Sequence, residues 1–515
     1  MKTLIGQAYH LYLDPKNWSN MELFPPLGSL YAAAVLREAG HEVHFSDSMI
    51  AESTDVWAAA LDAEKPQLAV LYEDNFNYLT KMCLLNMRDA AQVMIAAAKK
   101  TGALVIVAGS DASDVPETYL DFGADVVING EGEITLEQLV AALEQGGLEN
   151  IQDIEGITFF GSDGAVIRTP KRRSLRDIDS LPMPAWDLID LSRYREKWKA
   201  HHGRFELNIA TSRGCPFHCN WCAKPIWGRS YNARSPEKIA DEFAMLAKQG
   251  NPDRIWVMDD IFAMKPGWAR SFANALKDRD VQLPFKCLSR ADLLLRKGEV
   301  EALADAGCQE LWIGAESGSQ KILDAMEKGT SLQQIDDATR LLKQHGIRVG
   351  FFLQYGYPGE TWADIKQTFG LLRRNLPDVI GISVSYPLPG TPFHDRVLDQ
   401  LGSKKNWQHA DDLDLMYRGP YKTSFYRVLH RFTHRLARYQ RGTATPIQRD
   451  TAGKIKLRAT LREAAGTLRA FVYMVPLWAQ LHVLRLTSRP GVTPIDPKLS
   501  RAAAGLGAVD LTEGK

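Results

Sequence analysis

Short apolar runs alternate with helix-like stretches over the first 150 residues. The apolar runs are short and rich in Val, Ile and Leu, which predicts buried parallel strands, whereas apolar positions three and four apart predict helices. The predicted strands are Leu68–Tyr72, Leu104–Ala108 and Asp125–Ile128, and the predicted helices lie near 29–39, 80–100 and 133–144. This alternation predicts a doubly wound α/β domain over residues 1–150.

The binding site of such a domain follows from its topology. Ligands of doubly wound sheets bind beyond the carboxyl ends of the strands. In this chain those ends are the loops 73–77, 109–113 and 129–133. We therefore expect a ligand at these three loops.

A second strand and helix series follows a polar linker, which we place at residues 151–200. Its predicted strands are 207–211, 254–258, 285–288, 310–313, 349–353 and 379–384. Six such units predict a partial (β/α)6 barrel over residues 201–400, with its chemistry at the carboxyl ends of the strands. The expected fold class is therefore α/β: a Rossmann-like domain, a partial barrel, and a mainly helical C-terminal region over 401–515.

The composition is that of a globular protein, with 45% hydrophobic and 24% charged residues. No signal peptide is predicted, because the first ten residues lack a long apolar stretch. Six cysteines occur in 515 residues and three of them lie within eight residues, which favours a reduced compartment over a disulfide framework. We expect a cytoplasmic protein.

The cysteine cluster Cys215, Cys219 and Cys222 follows the first predicted strand of the barrel, with Cys-x3-Cys-x2-Cys spacing. Three thiolates on a tight loop suit three irons of a [4Fe–4S] cluster and leave the fourth iron open for a chelating substrate. A structural zinc site requires four protein ligands. His218, Cys287 or Cys308 would have to supply the fourth, so zinc is the alternative.

The triplet, with Trp221 before its last cysteine, resembles the signature of the radical S-adenosylmethionine (SAM) superfamily. The resemblance spans about residues 204–395, because motifs that follow the later predicted strands agree in order. In that family SAM chelates the open iron and is cleaved reductively to a 5′-deoxyadenosyl radical. The resemblance implies a [4Fe–4S] cluster and SAM as cofactors, and an external electron donor such as flavodoxin or ferredoxin.

The same resemblance implies which residues contact SAM. They follow the second, third and fourth barrel strands and are Asp259, Asp260, Ser289, Arg290 and Glu316. The two carboxylates after the second strand suit the SAM ammonium group, and the arginine suits its carboxylate. The alternative for the Asp pair is to cap the next helix.

The first domain resembles the cobalamin-binding domain that is fused to many radical SAM enzymes, through the segments 24–28, 40–47, 107–113 and 124–133. The residues implied to contact cobalamin are Tyr72, Asn75, Gly109, Ser110, Ser113, Gly130 and Glu131. The Asp-x-His-x-x-Gly string, which supplies a histidine to cobalt, is absent from the sequence. Cobalamin is therefore expected without a protein histidine ligand; the alternative is a domain that has lost the cofactor.

The combination resembles the branch that contains class B methyltransferases and the anaerobic magnesium-protoporphyrin IX monomethyl ester cyclase. It implies an enzyme that acts on a small-molecule substrate, and methylation of an unactivated carbon is the leading hypothesis. Oxidative cyclisation or rearrangement is the second hypothesis, and a non-catalytic metal-bearing binding module is the third. No individual catalytic residue is predicted, and no nucleic-acid-binding motif is recognised.

The C-terminal region differs in charge from the rest of the chain. Residues 421–515 contain 17 Lys and Arg against 5 Asp and Glu, although the whole chain is balanced at 62 of each. Arginines and apolar residues alternate at helical spacing over 425–439, and an apolar segment follows at 470–486. Peripheral membrane contact is one interpretation. Helices that pack on the barrel and leave their arginines in solvent are the other.

Overall fold

The computed structural model describes residues 1–76, 84–224, 226–401, 413–444 and 457–487. The chain divides into two compact units. The first unit comprises Met1–Pro216, Lys224–Leu288 and Asp305–Cys308, and the second comprises Phe217–Ala223, Ser289–Ala304 and Gln309–Lys515.

The strands are β1 (Lys2–Gly6), β2 (Glu42–Ser46), β3 (Leu68–Tyr72), β4 (Leu104–Ala108), β5 (Val126–Ile128), β6 (Ile157–Phe160), β7 (Val166–Arg168), β8 (Glu206–Ile209), β9 (Ser212–Arg213), β10 (Asn232–Ala233), β11 (Arg254–Val257), β12 (Phe285–Ser289), β13 (Cys308–Glu316), β14 (Arg348–Tyr355) and β15 (Val379–Val384). The helices are α1 (Pro15–Asn20), α2 (Leu27–Glu38), α3 (Asp55–Glu64), α4 (Leu84–Lys100), α5 (Ser110–Asp114), α6 (Pro116–Asp121), α7 (Glu133–Gly146), α8 (Leu191–His202), α9 (Pro236–Gln249), α10 (Trp268–Asp278), α11 (Ala291–Leu294), α12 (Glu299–Asp305), α13 (Gln320–Ala325), α14 (Leu332–Gln344), α15 (Trp362–Asn375), α16 (Pro392–Leu401), α17 (Thr423–Ala444) and α18 (Leu457–Thr487).

The first unit contains a seven-stranded sheet in the order β2-β1-β3-β4-β5-β6-β7. Its first five strands are parallel, and helices pack on both faces, where apolar side chains form two separate cores. The doubly wound prediction is confirmed. The predicted helix near 80–100 begins at Leu84 in the structure, and its first predicted turn lies outside the described residues.

Four strands of this sheet were not predicted from the sequence: β1 and β2 near the amino terminus, and β6 and β7. The last two pair antiparallel with each other, and β6 pairs antiparallel with β5. Both of these strands lie in the segment that was assigned to the linker. They were not recognised because β7 is too short and too exposed to give an apolar pattern. The sheet therefore continues into the predicted linker.

All six predicted barrel strands are present. In the first unit β8, β11 and β12 pair in parallel, and in the second unit β13, β14 and β15 pair in parallel. Helices follow the strands, so the carboxyl ends of each parallel set open into loops, as the partial barrel prediction requires.

The second unit ends in a helical hairpin of α17 and α18. Phe425, Leu429 and Phe432 of α17 are buried in its core, which confirms an amphipathic helix in this segment. Residues 402–412, 445–456 and 488–515 of the predicted C-terminal region lie outside the described residues. Among the described helices, none has both the length and the apolar character that crossing a membrane requires.

Candidate active site

The backbone that leads into Cys215 is fixed by a short antiparallel ribbon in the first unit, in which β9 pairs with β10. Gly214 adopts a φ of +79°, and a Cβ at this position would lie 2.1 Å from the carbonyl oxygen of Ser230. Glycine is therefore required immediately before the first cysteine. The ribbon places the start of the cysteine loop directly after β8.

The rest of the cysteine loop lies in the second unit and is anchored by Asn220. The Asn220 side chain donates to the carbonyl oxygen of Ala325 (2.9 Å) and accepts from the Tyr357 hydroxyl (2.8 Å). Its backbone N–H donates to the carbonyl oxygen of Met326 (3.1 Å). These bonds hold the chain between Cys219 and Cys222 in one conformation.

None of the three cysteines forms a disulfide; Cys215 is buried and the other two are half-buried. Over the described parts of the chain, no three His, Cys, Asp or Glu side chains converge closely enough to hold one metal ion. Cys287 and Cys308 are buried with their sulfur atoms 3.9 Å apart in the first unit. Three thiols of one short segment, none of them in a disulfide, have the donor chemistry of a [4Fe–4S] site with an open iron.

The two aspartates after β11 have different environments. Asp259 is buried, and its carboxylate accepts hydrogen bonds from the backbone and hydroxyl groups of Thr211 and Ser212. Burial raises its pKa to about 6, against these hydrogen bonds, which favour the charged form. Asp260 is exposed. The next helix, α10, begins at Trp268, so the helix-capping alternative for the pair is wrong.

Glu316 ends β13 with a φ of +53°, a left-handed conformation that is unusual for a non-glycine residue. Its buried carboxylate accepts from the Lys328 ammonium group at 2.7 Å. Burial lowers the pKa of Lys328, but Glu316 and Cys219 outweigh this effect, so the pKa lies above its ordinary value. A buried cation is thus held beside the predicted SAM residue of this strand.

Arg290 is buried in the second unit, next to the equally buried Ser289. Its guanidinium group donates to Asp292 (2.9 Å) and to the Thr330 hydroxyl (3.1 Å), and it stacks 3.6 Å above the Phe217 ring. The arginine is therefore positioned rigidly against the cysteine loop. It already has a carboxylate partner, Asp292, in addition to any ligand it binds.

In the first domain, Ser113 joins two of the predicted ligand loops. Its hydroxyl donates to the carbonyl oxygen of Gly109 (2.7 Å) and accepts from the N–H of Gly130 (2.9 Å). Ser110 begins α5 beside them. The loops after β4 and β5 are thus close together, as the topology predicts, and the described part of the loop after β3 ends at Phe76.

Two buried amide side chains have unsatisfied polar atoms at these strand ends. Among the described residues, neither polar atom of the Gln7 side chain, after β1, has a hydrogen-bond partner, and the same is true of the Asn75 side-chain oxygen, after β3. Buried polar atoms are normally hydrogen-bonded. These amides are therefore suited to a bound polar group, such as the amide side chains of a corrin ring.

Comparison with known proteins identifies the family. Residues 209–372 match the radical SAM superfamily, and residues 22–140 match the B12 binding domain. The chain belongs to the cobalamin-binding radical SAM enzymes. Its predicted cofactors, a [4Fe–4S] cluster, SAM and cobalamin, are those of this family.

Individual relatives agree with this assignment. An uncharacterised methyltransferase of Pyrococcus horikoshii is 27% identical over 78% of this radical SAM enzyme and 84% of the relative. A hopanoid C-3 methylase of Methylococcus capsulatus is 27% identical over 71% of the chain and 67% of the relative. The structure of the radical SAM methyltransferase TsrM from Kitasatospora setae has a TM-score of 0.63 and 19% identity over 79% of each chain, which shows the same fold.

Glu131, one of the predicted cobalamin residues, has partners within the protein. In the first unit of this enzyme it forms an ion pair with Arg213, and its carboxylate also accepts from the N–H of Leu175 (2.7 Å). Arg213 bonds a second buried carboxylate, Glu133, at 2.8 Å. Glu131 is therefore engaged within the protein, and the sequence offered no signal for this pair beyond the position of Arg213 two residues before Cys215.

The histidines of the first domain do not point to a cobalt ligand. His10 follows β1, but its ring is buried and its Nδ1 lies 2.9 Å from the carbonyl oxygen of Ala8. Burial lowers the pKa of His10. His41 precedes β2 and His44 lies within it, where they contact Glu144, Glu42 and Glu64. The His10 ring hydrogen-bonds the backbone of Ser53 as well as that of Ala8, so the protein backbone engages this ring.

Proposed function

We propose that this radical SAM enzyme methylates an unactivated carbon of a small-molecule biosynthetic intermediate. The observation that carries the proposal is that one chain combines the three-cysteine motif of a radical SAM domain with a domain of the B12-binding family. Cluster and SAM supply a radical that removes a hydrogen atom, and cobalamin supplies the methyl group. The similarity to a hopanoid C-3 methylase, named for methylation at carbon, supports this choice.

The roles of the predicted SAM residues are part of the proposal. Asp260 is an exposed carboxylate at the end of β11 and is suited to the SAM ammonium group. Lys328 and Arg290 are buried cations suited to the SAM carboxylate, and Glu316 holds Lys328 in place. Asp259 acts instead by fixing the backbone of Thr211 and Ser212.

The limits 1–150, 151–200, 201–400 and 401–515 are our proposal for the domains, except that β6 and β7 extend the sheet of the first domain to residue 168. We also propose an external electron donor such as flavodoxin or ferredoxin, because reductive cleavage of SAM consumes one electron. The matched ranges 22–140 and 209–372 fall within the proposed cobalamin and radical SAM domains.

The test requires no knowledge of the substrate. Methyl transfer from SAM leaves S-adenosylhomocysteine, whereas radical formation leaves 5′-deoxyadenosine. The chain, reconstituted anaerobically with iron, sulfide and cobalamin and then given SAM and a low-potential reductant, is expected to form at least one S-adenosylhomocysteine per chain. A preparation that forms 5′-deoxyadenosine but no S-adenosylhomocysteine would favour the cyclase or rearrangement hypothesis, and one that forms neither would favour the binding module.

A further inference from the structure

Helix α18 has two apolar faces, although only one of them packs against the protein. On its inner face, Ala470 and Leu481 are fully buried, and Met474, Leu477 and Leu484 pack against the core of the second unit. The outer face carries a second stripe at helical spacing. It consists of Leu461 (58% exposed), Leu468 (64%), Val472 (56%), Val475 (53%), Val483 (59%) and Leu486 (77%).

This outer stripe is unusual for a helix in water. An ordinary surface helix presents polar side chains on its outer face, and single exposed apolar residues are common but contiguous rows are not. No Asp, Glu, Lys or Arg occurs from residue 470 to residue 484. Phe471, Tyr473 and Trp478 widen the exposed surface with aromatic rings. The stripe therefore indicates an interaction surface.

A row of cations lies on the neighbouring helix. Arg427, Arg431 and Arg435 lie one turn apart on α17 and are exposed. The Arg435 guanidinium group lies 5.3 Å from the centre of the exposed Tyr473 ring, so the row meets the exposed aromatic surface of α18 at this arginine. Glu463 is the only acidic residue in the sequence of the two helices.

We propose that the α17 and α18 hairpin is a docking surface for an anionic phospholipid membrane. The apolar stripe would enter the boundary between head groups and acyl chains, while the arginines pair with lipid phosphates. The positive charge of this face favours a lipid surface over a second copy of the chain. A second copy of this chain would bring its own arginine row to the same face, whereas an anionic lipid surface is complementary to that row.

Vesicle flotation of the full-length chain tests the proposal. The chain is expected to float with phosphatidylglycerol vesicles at low salt, to float less at high salt, and to bind phosphatidylcholine vesicles at least about tenfold more weakly, because each arginine near the surface contributes to the attraction. The double variant Val475→Glu/Val483→Glu should lose at least about tenfold in partitioning. Arg427→Gln/Arg431→Gln/Arg435→Gln should lose the preference for phosphatidylglycerol.

The matched control is Val56→Glu/Val93→Glu, which places the same charges at valines of the first unit that are 45% and 54% exposed. This control should float as the unchanged chain does, and circular dichroism should show equal helix content in all variants. Flotation that is absent, or equally reduced by the control variant, would overturn the proposal. So would a dimer in the absence of vesicles that Val475→Glu/Val483→Glu converts to a monomer, since the stripe would then bind a second copy.

Discussion

At the residue scale, neighbouring carboxylates in this enzyme have opposite tasks. Asp259 is buried and accepts four hydrogen bonds from Thr211 and Ser212, whereas Asp260 is exposed. Of these two adjacent aspartates, Asp259 therefore has a structural role and Asp260 is a candidate ligand of SAM. The sequence pattern cannot distinguish them, because the difference arises from contacts with Thr211 and Ser212, which are distant in sequence, and not from local spacing.

Asp260→Asn is expected to leave the fold intact and to weaken SAM binding by about ten- to a hundredfold, since a charge-assisted hydrogen bond contributes about 1.5–3 kcal/mol. Asp259→Asn is expected to lower the thermal midpoint of the chain instead. Titration of SAM into the reconstituted variants, with scanning calorimetry alongside, measures both. Equal SAM affinity in Asp260→Asn and the unchanged chain would remove this residue from the site.

The cysteines give a second prediction at this scale. Cys215→Ser, Cys219→Ser and Cys222→Ser should each reduce the iron bound after anaerobic reconstitution by more than half, because two thiolates hold a cubane cluster poorly. Cys287→Ala and Cys308→Ala are the controls, since both are buried and remote in sequence from the loop. Iron and sulfide analysis of each reconstituted variant measures how much cluster it holds. A full iron complement in any of the three serine variants would contradict the assignment.

At the element scale, a buried arginine connects the cysteine motif to the cobalamin domain. Arg213 lies in β9, pairs with Glu131 and Glu133, and is surrounded by the rings of Tyr31, Phe76 and Trp227 at 5.4–5.8 Å. Burial lowers the pKa of Arg213, but the two carboxylates outweigh it and hold the group charged. The ion pairs thus link the ribbon before Cys215 to the loop after β5.

Arg213→Gln should destabilise the first unit by about 3–5 kcal/mol, because it leaves two buried carboxylates without a cation. The matched control is Arg229→Gln, an exposed arginine of the same segment. Urea denaturation followed by circular dichroism provides the midpoints. If Arg213→Gln unfolds at the same urea concentration as Arg229→Gln, the link is not important for stability.

The turn between β14 and α15 contains Glu360, a buried carboxyl group whose pKa is raised, as that of Asp259 is. Burial raises the pKa of Glu360 to about 8, while the hydrogen bond from the Gly356 N–H (2.7 Å) acts in the opposite direction. A folded-state pKa above the unfolded one means that the neutral acid stabilises the fold at low pH. This contribution is complete below the unfolded pKa and is lost as the pH rises through about 8.

The free energy of unfolding should therefore fall between pH 5 and pH 8 by about 1.4 kcal/mol per pH unit for this group. Glu360→Gln keeps a neutral acceptor for Gly356 and should remove that slope. The difference between the two proteins isolates Glu360 from other buried acids that titrate in the range. Identical pH profiles for the unchanged chain and Glu360→Gln would show that Glu360 is ionised throughout.

At the scale of the whole molecule, periodicity predicted the doubly wound sheet and all six barrel strands. It missed β1, β2, β6 and β7; β2 and β7 are partly exposed and lack a continuous apolar run. It also missed Arg213, Lys328 and Gln7, since their environments arise from residues that are distant in sequence. Motif resemblance identified the cofactors. Only the structure shows which predicted ligand residues already have partners within the protein, as Glu131 has in Arg213.

The cobalt environment is a prediction at the same scale. Bound cobalamin should have neither a protein histidine nor another nitrogen on its lower face, because the sequence lacks the histidine motif and the ring of His10 is buried against a backbone carbonyl. Electron paramagnetic resonance of the Co(II) protein should show cobalt hyperfine lines without nitrogen triplets. Triplet splitting would contradict the prediction.

Radical cleavage of SAM at the cysteine loop of this chain is tested most directly by the 5′-deoxyadenosine that the reconstituted protein forms under a low-potential reductant. The unchanged chain should form 5′-deoxyadenosine, and a chain with Cys215, Cys219 and Cys222 all replaced by alanine should form none. A protein that carries a complete [4Fe–4S] cluster and binds SAM, yet forms no 5′-deoxyadenosine, would contradict a role of this loop in radical cleavage.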